Sequence, residues 1–238
     1  LVAGSGNHLD PSNYNMVVGQ NNTLIDSNSN TVSGVGNDLT NANRNQVTGN
    51  NNAVTNSNNS TVAGDGNSLT NGSNSNTVAG VSNELNDALN NTVGGSGNDV
   101  VQSDNNTVAG NLNEVEGASD NNTVGGNAND VLADSNNNTV GGDTNSLSAS
   151  NANSVVGLSN ALTSANRNQV AGDDNTVTSS NNSTVAGNLN SLTNGSNSNT
   201  VAGASNELDD ALNNTVGGNA NDVVQSDNNT VAGNLNEV

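Results

Sequence analysis

Twenty-two carboxylates, one histidine, two arginines and no cysteine are the ionisable resources of this 238-residue chain. Without thiols there is no disulfide framework and no thiolate metal site. Oxygen ligands suit hard cations such as calcium. The stretch GGSGNDVVQ, residues 94–102, fits the pattern G-G-x-G-x-D-x-U-x, in which glycine-rich turns offer oxygen ligands to calcium. Such turns bind calcium only as consecutive nonapeptides, whose facing loops together supply enough oxygens. Here the related GGNANDVL (125–132) and GGNANDVV (217–224) lose the middle glycine. No cofactor is therefore expected, only weak calcium binding along acidic columns. His8 lacks a nearby Ser–Asp constellation and reads as solvent-facing. No nucleophile–base pair, phosphate loop or redox motif recurs, so an enzyme is not expected.

The rest of the composition narrows the partners. Hydrophobic residues make up 29% of the chain, and Tyr14 is its sole aromatic. A net charge of −20 repels nucleic acid and anionic membranes. No apolar stretch approaches transmembrane length, so membrane insertion is not expected. The chain starts LVAGSGN without an initiator Met, which reads as an N-terminus removed or never included. A chain so rich in Asn, Ser, Thr and Gly would be disordered unless a strict period organised it.

That period exists. A Val recurs at 2, 17, 32, 47, 62, 78, 93, 108, 124, 140, 155, 170, 185, 201, 216 and 231, in steps of 15 or 16. Seven residues after each stands Leu or Val, from Leu9 to Val238, without exception. The seven-residue step implies a tight turn; the variable return step implies a turn that accepts insertion. Asn precedes each second aliphatic by two residues in all sixteen cases, and precedes the first Val by two at thirteen of fifteen available positions, Ser60 and Ser183 being the exceptions. Gly follows each first Val by two. The unit N-x-V-x-G, turn, N-x-[LV]-x-x, turn has the period-two alternation of strands, with Asn, Val and Gly on one inward face. The expected fold is all-β: a two-sided parallel β-solenoid (β-roll) of sixteen coils, running as one continuous domain over 1–238.

Residues 42–115 and 165–238 agree at 63 of 74 positions, and no difference touches the Asn, Val, Leu or Gly of the motif. Two aliphatics per coil cannot offset the entropy of ordering fifteen residues. Stacked Asn side chains must supply the remainder, each amide bonding to the coils on either side. The expected ladder is Asn37, Asn67, Asn83, Asn98, Asn113, Asn129, Asn145, Asn160, Asn175, Asn190, Asn206 and Asn221. The inward Gly is expected to leave room where the sheets converge or bend.

The two outward faces differ. Before the first Val stands Thr in eleven coils: Thr31, Thr61, Thr77, Thr92, Thr107, Thr123, Thr139, Thr184, Thr200, Thr215 and Thr230. After it stands Ala or Gly in twelve coils, and none of the 32 flanking side chains is charged. The second strand instead carries Asp10, Asp38, Glu84, Asp99, Glu114, Glu116, Asp130, Glu207, Asp209, Asp222 and Glu237. The neutral face has three readings: a plain exposed sheet, a lateral packing surface, or a Thr array that orders water against ice. Sequons such as Asn105, Asn121 and Asn228 are largely what an Asn/Ser/Thr-rich chain produces by composition.

The N-x-V-x-G unit, two strands per coil throughout the chain, resembles the ryegrass-type ice-binding (antifreeze) β-roll family. That resemblance implies a left-handed β-roll with internal Asn ladders and one flat face that binds ice. The eleven Thr would be its binding rank, although the second rank here is Ala and Gly rather than Ser, Thr or Val. More loosely, the short coils resemble the β-roll repeats of adhesins. Val2 and Val238 are both in phase with the repeat, so a segment of a longer uncapped array is expected. The leading functional expectation is a structural, extracellular or cell-surface solenoid that associates with itself, in a filament, appendage or adhesin. The alternative is ice binding and inhibition of ice recrystallisation.

Overall fold

The computed structural model describes all residues from 1 to 238, and it is an all-β parallel solenoid of sixteen coils. The chain falls into two compact units, Leu1–Ala118 and Ser119–Val238. Each contains eight coils, and the same coil plan serves both. A long strand such as Thr92–Ser96 runs through the first Val, and a short one such as Asp99–Val101 through the second aliphatic. Successive long strands pair in parallel with motif positions aligned, as in Thr92↔Thr107, Val93↔Val108 and Gly95↔Gly110. The second unit repeats this with Thr215↔Thr230 and Val216↔Val231. Its last short strand shrinks to the bridge Asp222↔Glu237.

The register follows from burial. A slip of one residue would carry every Val outward and every Thr inward. Val17, Val32 and the later first-strand valines are buried, as are the second aliphatics from Leu24 to Val223. These aliphatic columns are the core of each unit.

Beside them run the Asn columns. In the first, each Nδ2 donates back to the Asn of the preceding coil and onward to the Gly carbonyl of the following coil. Asn98 Nδ2 lies 2.9 Å from Asn83 Oδ1 and 2.9 Å from the Gly110 carbonyl oxygen. Asn98 Oδ1 in turn accepts both the backbone N–H and the Nδ2 of Asn113, at 3.1 and 2.9 Å. In the second column, Asn91 donates its Nδ2 to the Ser103 carbonyl at 3.0 Å, while its backbone N–H reaches Asn76 Oδ1 at 2.7 Å. Burying an amide is expensive unless it is bonded, and rungs such as Asn98 and Asn91 meet that condition with partners one coil away. The expected Asn ladder is thus present in both units.

The return segment hides a column that the sequence reading missed. Three residues before each first-strand Asn or Ser, at 12, 27, 42, 57, 73, 88 and onward to 226, stands Ser or Ala in every coil. Nearly all of these side chains are fully buried. Ser27 shows why Ser serves: its Oγ donates to the Leu39 carbonyl at 3.0 Å and accepts the Ala42 N–H at 3.0 Å. Only a small side chain fits where the chain doubles back. The four sixteen-residue coils all place their extra residue just before this column, ahead of Ser73, Ser119, Ser135 and Ser196. The variable turn is therefore a single defined corner, immediately after the short strand.

The glycines correct an expectation. They are not spacers between converging sheets. In the long strands they adopt φ between +107° and +137°, and a Cβ on almost any of them would strike the Gly of the next coil along the stack. The requirement is for close approach between coils, not across the core.

Candidate functional site

Because the Val is inward, its neighbours must point outward, and all eleven predicted Thr are exposed. In the first unit Thr61, Thr77, Thr92 and Thr107 stand in unbroken register. In the second, Thr123 pairs with Thr139, and Thr184, Thr200, Thr215 and Thr230 form a run of four. Parallel strands place these hydroxyls ~4.8 Å apart. Threonine hydroxyls that hydrogen-bond within the protein lie elsewhere, at Thr40, Thr144 and Thr193. Each unit thus presents a row of hydroxyl–methyl pairs beside a low rank of Ala and Gly.

The neutral face is narrower than the long strand. The strand extends one residue past the Gly, and that fifth position carries Asp65, Asp143 and Asp173 among neutral residues. Asp143 Oδ1 accepts from Asn127 Nδ2 at 2.9 Å, and Asp173 Oδ1 from the Leu158 N–H at 3.2 Å. A line of surface hydrogen bonds with scattered charge therefore borders the two neutral ranks.

On the short strands, Glu84, Asp99 and Glu114 stack in direct register. Asp99 is half-buried, and one of its carboxylate oxygens is buried without a hydrogen-bond partner. Burial, and then the charges of Glu84 and Glu116, raise its pKa above the usual carboxylate range. The second unit matches this with Glu207, Asp222 and Glu237 in register. Like charges facing one another in this way destabilise the sheet that carries them.

No protein-family model matches the chain, and no curated protein matches it.

No group of three or more His, Asp or Glu is arranged to hold a metal ion. Each letter of GGSGNDVVQ has a place in the coil: Gly94 in the small outward rank, Gly95 at the inter-coil contact, Gly97 at a left-handed corner (φ +65°), and Asn98 in the ladder. His8 is exposed, paired in register with Thr23. Sequon residues Asn105, Asn121 and Asn228 occupy one left-handed corner position, with φ of +61° in each. Two polar features escaped the sequence reading: the buried Ser/Ala column and a second surface ladder beside those corners. There Asn28, Asn43 and Asn58 are linked from backbone N–H to side-chain Oδ1, at 2.8 and 2.7 Å. Its signal was the Asn recurring two residues before the inward Asn, easily lost in a chain this rich in Asn.

Proposed function

We propose that this chain is a structural solenoid that builds the shaft of an extracellular filament, surface appendage or adhesin and associates with further copies of itself. One observation carries the reading. The buried ladder amides spend their hydrogen bonds along the coil stack, as Asn98 does toward Asn83, Gly110 and Asn113. The sequence thus devotes its most repetitive residues to cohesion between coils. The acidic second-strand face keeps such an array soluble, and the small neutral ranks let another sheet approach closely. Immunogold labelling of intact, unpermeabilised cells with antibody against the chain tests this. Gold along surface filaments supports it; label confined to permeabilised cells sinks it.

A second reading rests on the exposed Thr runs. Rows of hydroxyl–methyl pairs in fixed register could hold an ordered water layer against ice. Its test is ice-recrystallisation inhibition by the chain beside a Thr107→Tyr/Thr123→Tyr variant. Inhibition lost in the variant supports ice binding; equal inhibition, or none, removes it.

A further inference from the structure

The chain's two cations occupy equivalent corners of the two units, 123 residues apart: Arg44 and Arg167. Against 22 carboxylates, neither guanidinium forms an ion pair or a side-chain hydrogen bond within the chain. Arg44 is one of six residues lining a groove of about 320 Å³, with Asn28, Ser29, Asn43, Asn58 and Asn59, and no carboxylate is in the lining. Five of those six residue types recur at the matching positions in the second unit, Ala152 replacing Ser29.

The position itself is unusual for arginine. It is left-handed, with φ +59° at Arg44 and +58° at Arg167, and Asn fills it in eight other coils. Asn tolerates that conformation through its short polar side chain, whereas a long side chain is disfavoured there. Both arginines lie midway along uninterrupted runs of five corner asparagines, Asn13 to Asn74 and Asn136 to Asn197. These amides are fixed in orientation. Asn43 Oδ1 accepts from the Asn28 N–H at 2.8 Å, and Asn43 Nδ2 donates to Asn58 Oδ1 at 3.2 Å. In the second unit Asn166 Oδ1 accepts from Asn151 at 2.9 Å, and its Nδ2 donates to Asn181 at 3.0 Å. Each primary amide has two N–H donors, so one donor per rung remains for a ligand.

We infer that each corner binds an acidic saccharide: the guanidinium takes a carboxylate or sulfate, and the flanking amides take ring hydroxyls. Arginine's planar fork suits an oxyanion, and amide rungs repeating at ~4.8 Å suit a polyhydroxylated chain lying along the stack. The surrounding negative charge disfavours polyanions of high charge density, so the expected ligand carries one charge per sugar among neutral hydroxyls. This inference goes beyond the shaft reading and does not depend on it.

The test is titration calorimetry of the full chain with trigalacturonate, galactotriose and acetate at matched ionic strength. Arg44→Gln, Arg167→Gln and the double variant are run alongside, each checked for an unchanged melting temperature. The expected result is two trigalacturonate sites per chain, one in each single variant, at least tenfold weaker binding in the double variant, and no heat with galactotriose. No binding to the unaltered chain, or binding undiminished in the double variant, overturns the inference. Equal competition by acetate reduces the corner to an adventitious ion only. If sedimentation velocity instead shows the double variant losing chain–chain association, with no saccharide bound to the parent, the arginines meet the acidic face of another copy and the inference fails.

Discussion

A Cβ built on Gly95 would lie 1.8 Å from the carbonyl oxygen of Gly110 in the next coil. That oxygen also accepts Asn98 Nδ2, so it cannot retreat without loosening the ladder. Gly95 stands at φ +116°, where an L side chain is strained even with space available. Gly95→Ala is therefore expected to destabilise the first unit by about 3–5 kcal/mol. Its neighbour Gly94 meets only the Ala79 carbonyl oxygen at 3.9 Å, in a rank where Ala is common. Gly94→Ala should leave stability unchanged or raise it by about 0.5–1 kcal/mol. Urea midpoints of the two variants separate the roles; equal effects would refute them.

The two inward Asn columns are expected to differ in tolerance. Asn98 Nδ2 reaches three acceptors, at Asn83, Gly94 and Gly110, which a Ser hydroxyl cannot replace. The Asn91 column already holds Ser60, whose Oγ accepts the Asn76 N–H at 3.1 Å. Asn91→Ser should cost about 1 kcal/mol and Asn98→Ser about 3 kcal/mol, since the latter strands buried groups. Thermal melts of the two variants give the comparison. A larger loss for Asn91→Ser would overturn the ranking.

The same contrast shows what was legible in the sequence. Val93 and Val100, seven apart, and Asn98 between them, repeat with too little variation to mean anything but inward positions. Ser57 and Ser103 belong to a column that is always Ser or Ala, yet Ser is usually an exposed residue and nothing local marks it as buried. Their burial comes from the chain doubling back, which periodicity does not describe. The role of Gly95 was misjudged for a related reason: a strand pattern says which face a residue is on, but not how near the next coil comes. Asp143 and Asp173 bordered the Thr face unnoticed because Gly normally ends a strand, and here the strand continues one residue beyond it.

Leu112 occupies a left-handed corner at φ +56° while remaining 67% exposed. The equivalent corner one coil earlier is Gly97, at φ +65°. An L side chain other than Asn or Asp costs about 1–2 kcal/mol in that region, and so exposed a Leu gains little from burial. Leu112→Asn is expected to raise stability by about 1 kcal/mol, read as a higher melting temperature. A fall would mean that the Leu side chain contributes packing that outweighs the backbone strain.

Asp99 ties stability to pH. Burial, and then Glu84 and Glu116, hold its folded pKa above the ordinary 3.8, so the folded chain binds this proton more tightly than the unfolded chain does. The sign follows from linkage: the contribution is fully present below the unfolded pKa and is lost as pH rises through the raised folded value. Ionised Asp99 at neutral pH therefore weakens the sheet in which it faces Glu84 and Glu114. Asp99→Asn should melt higher than the parent at pH 7, and the gap should close on acidification to about pH 3, where the parent carboxyl is protonated. Comparing the two chains at each pH cancels the titration of the other carboxylates. A variant that melts lower than the parent at pH 7 would show that the carboxylate charge stabilises the column.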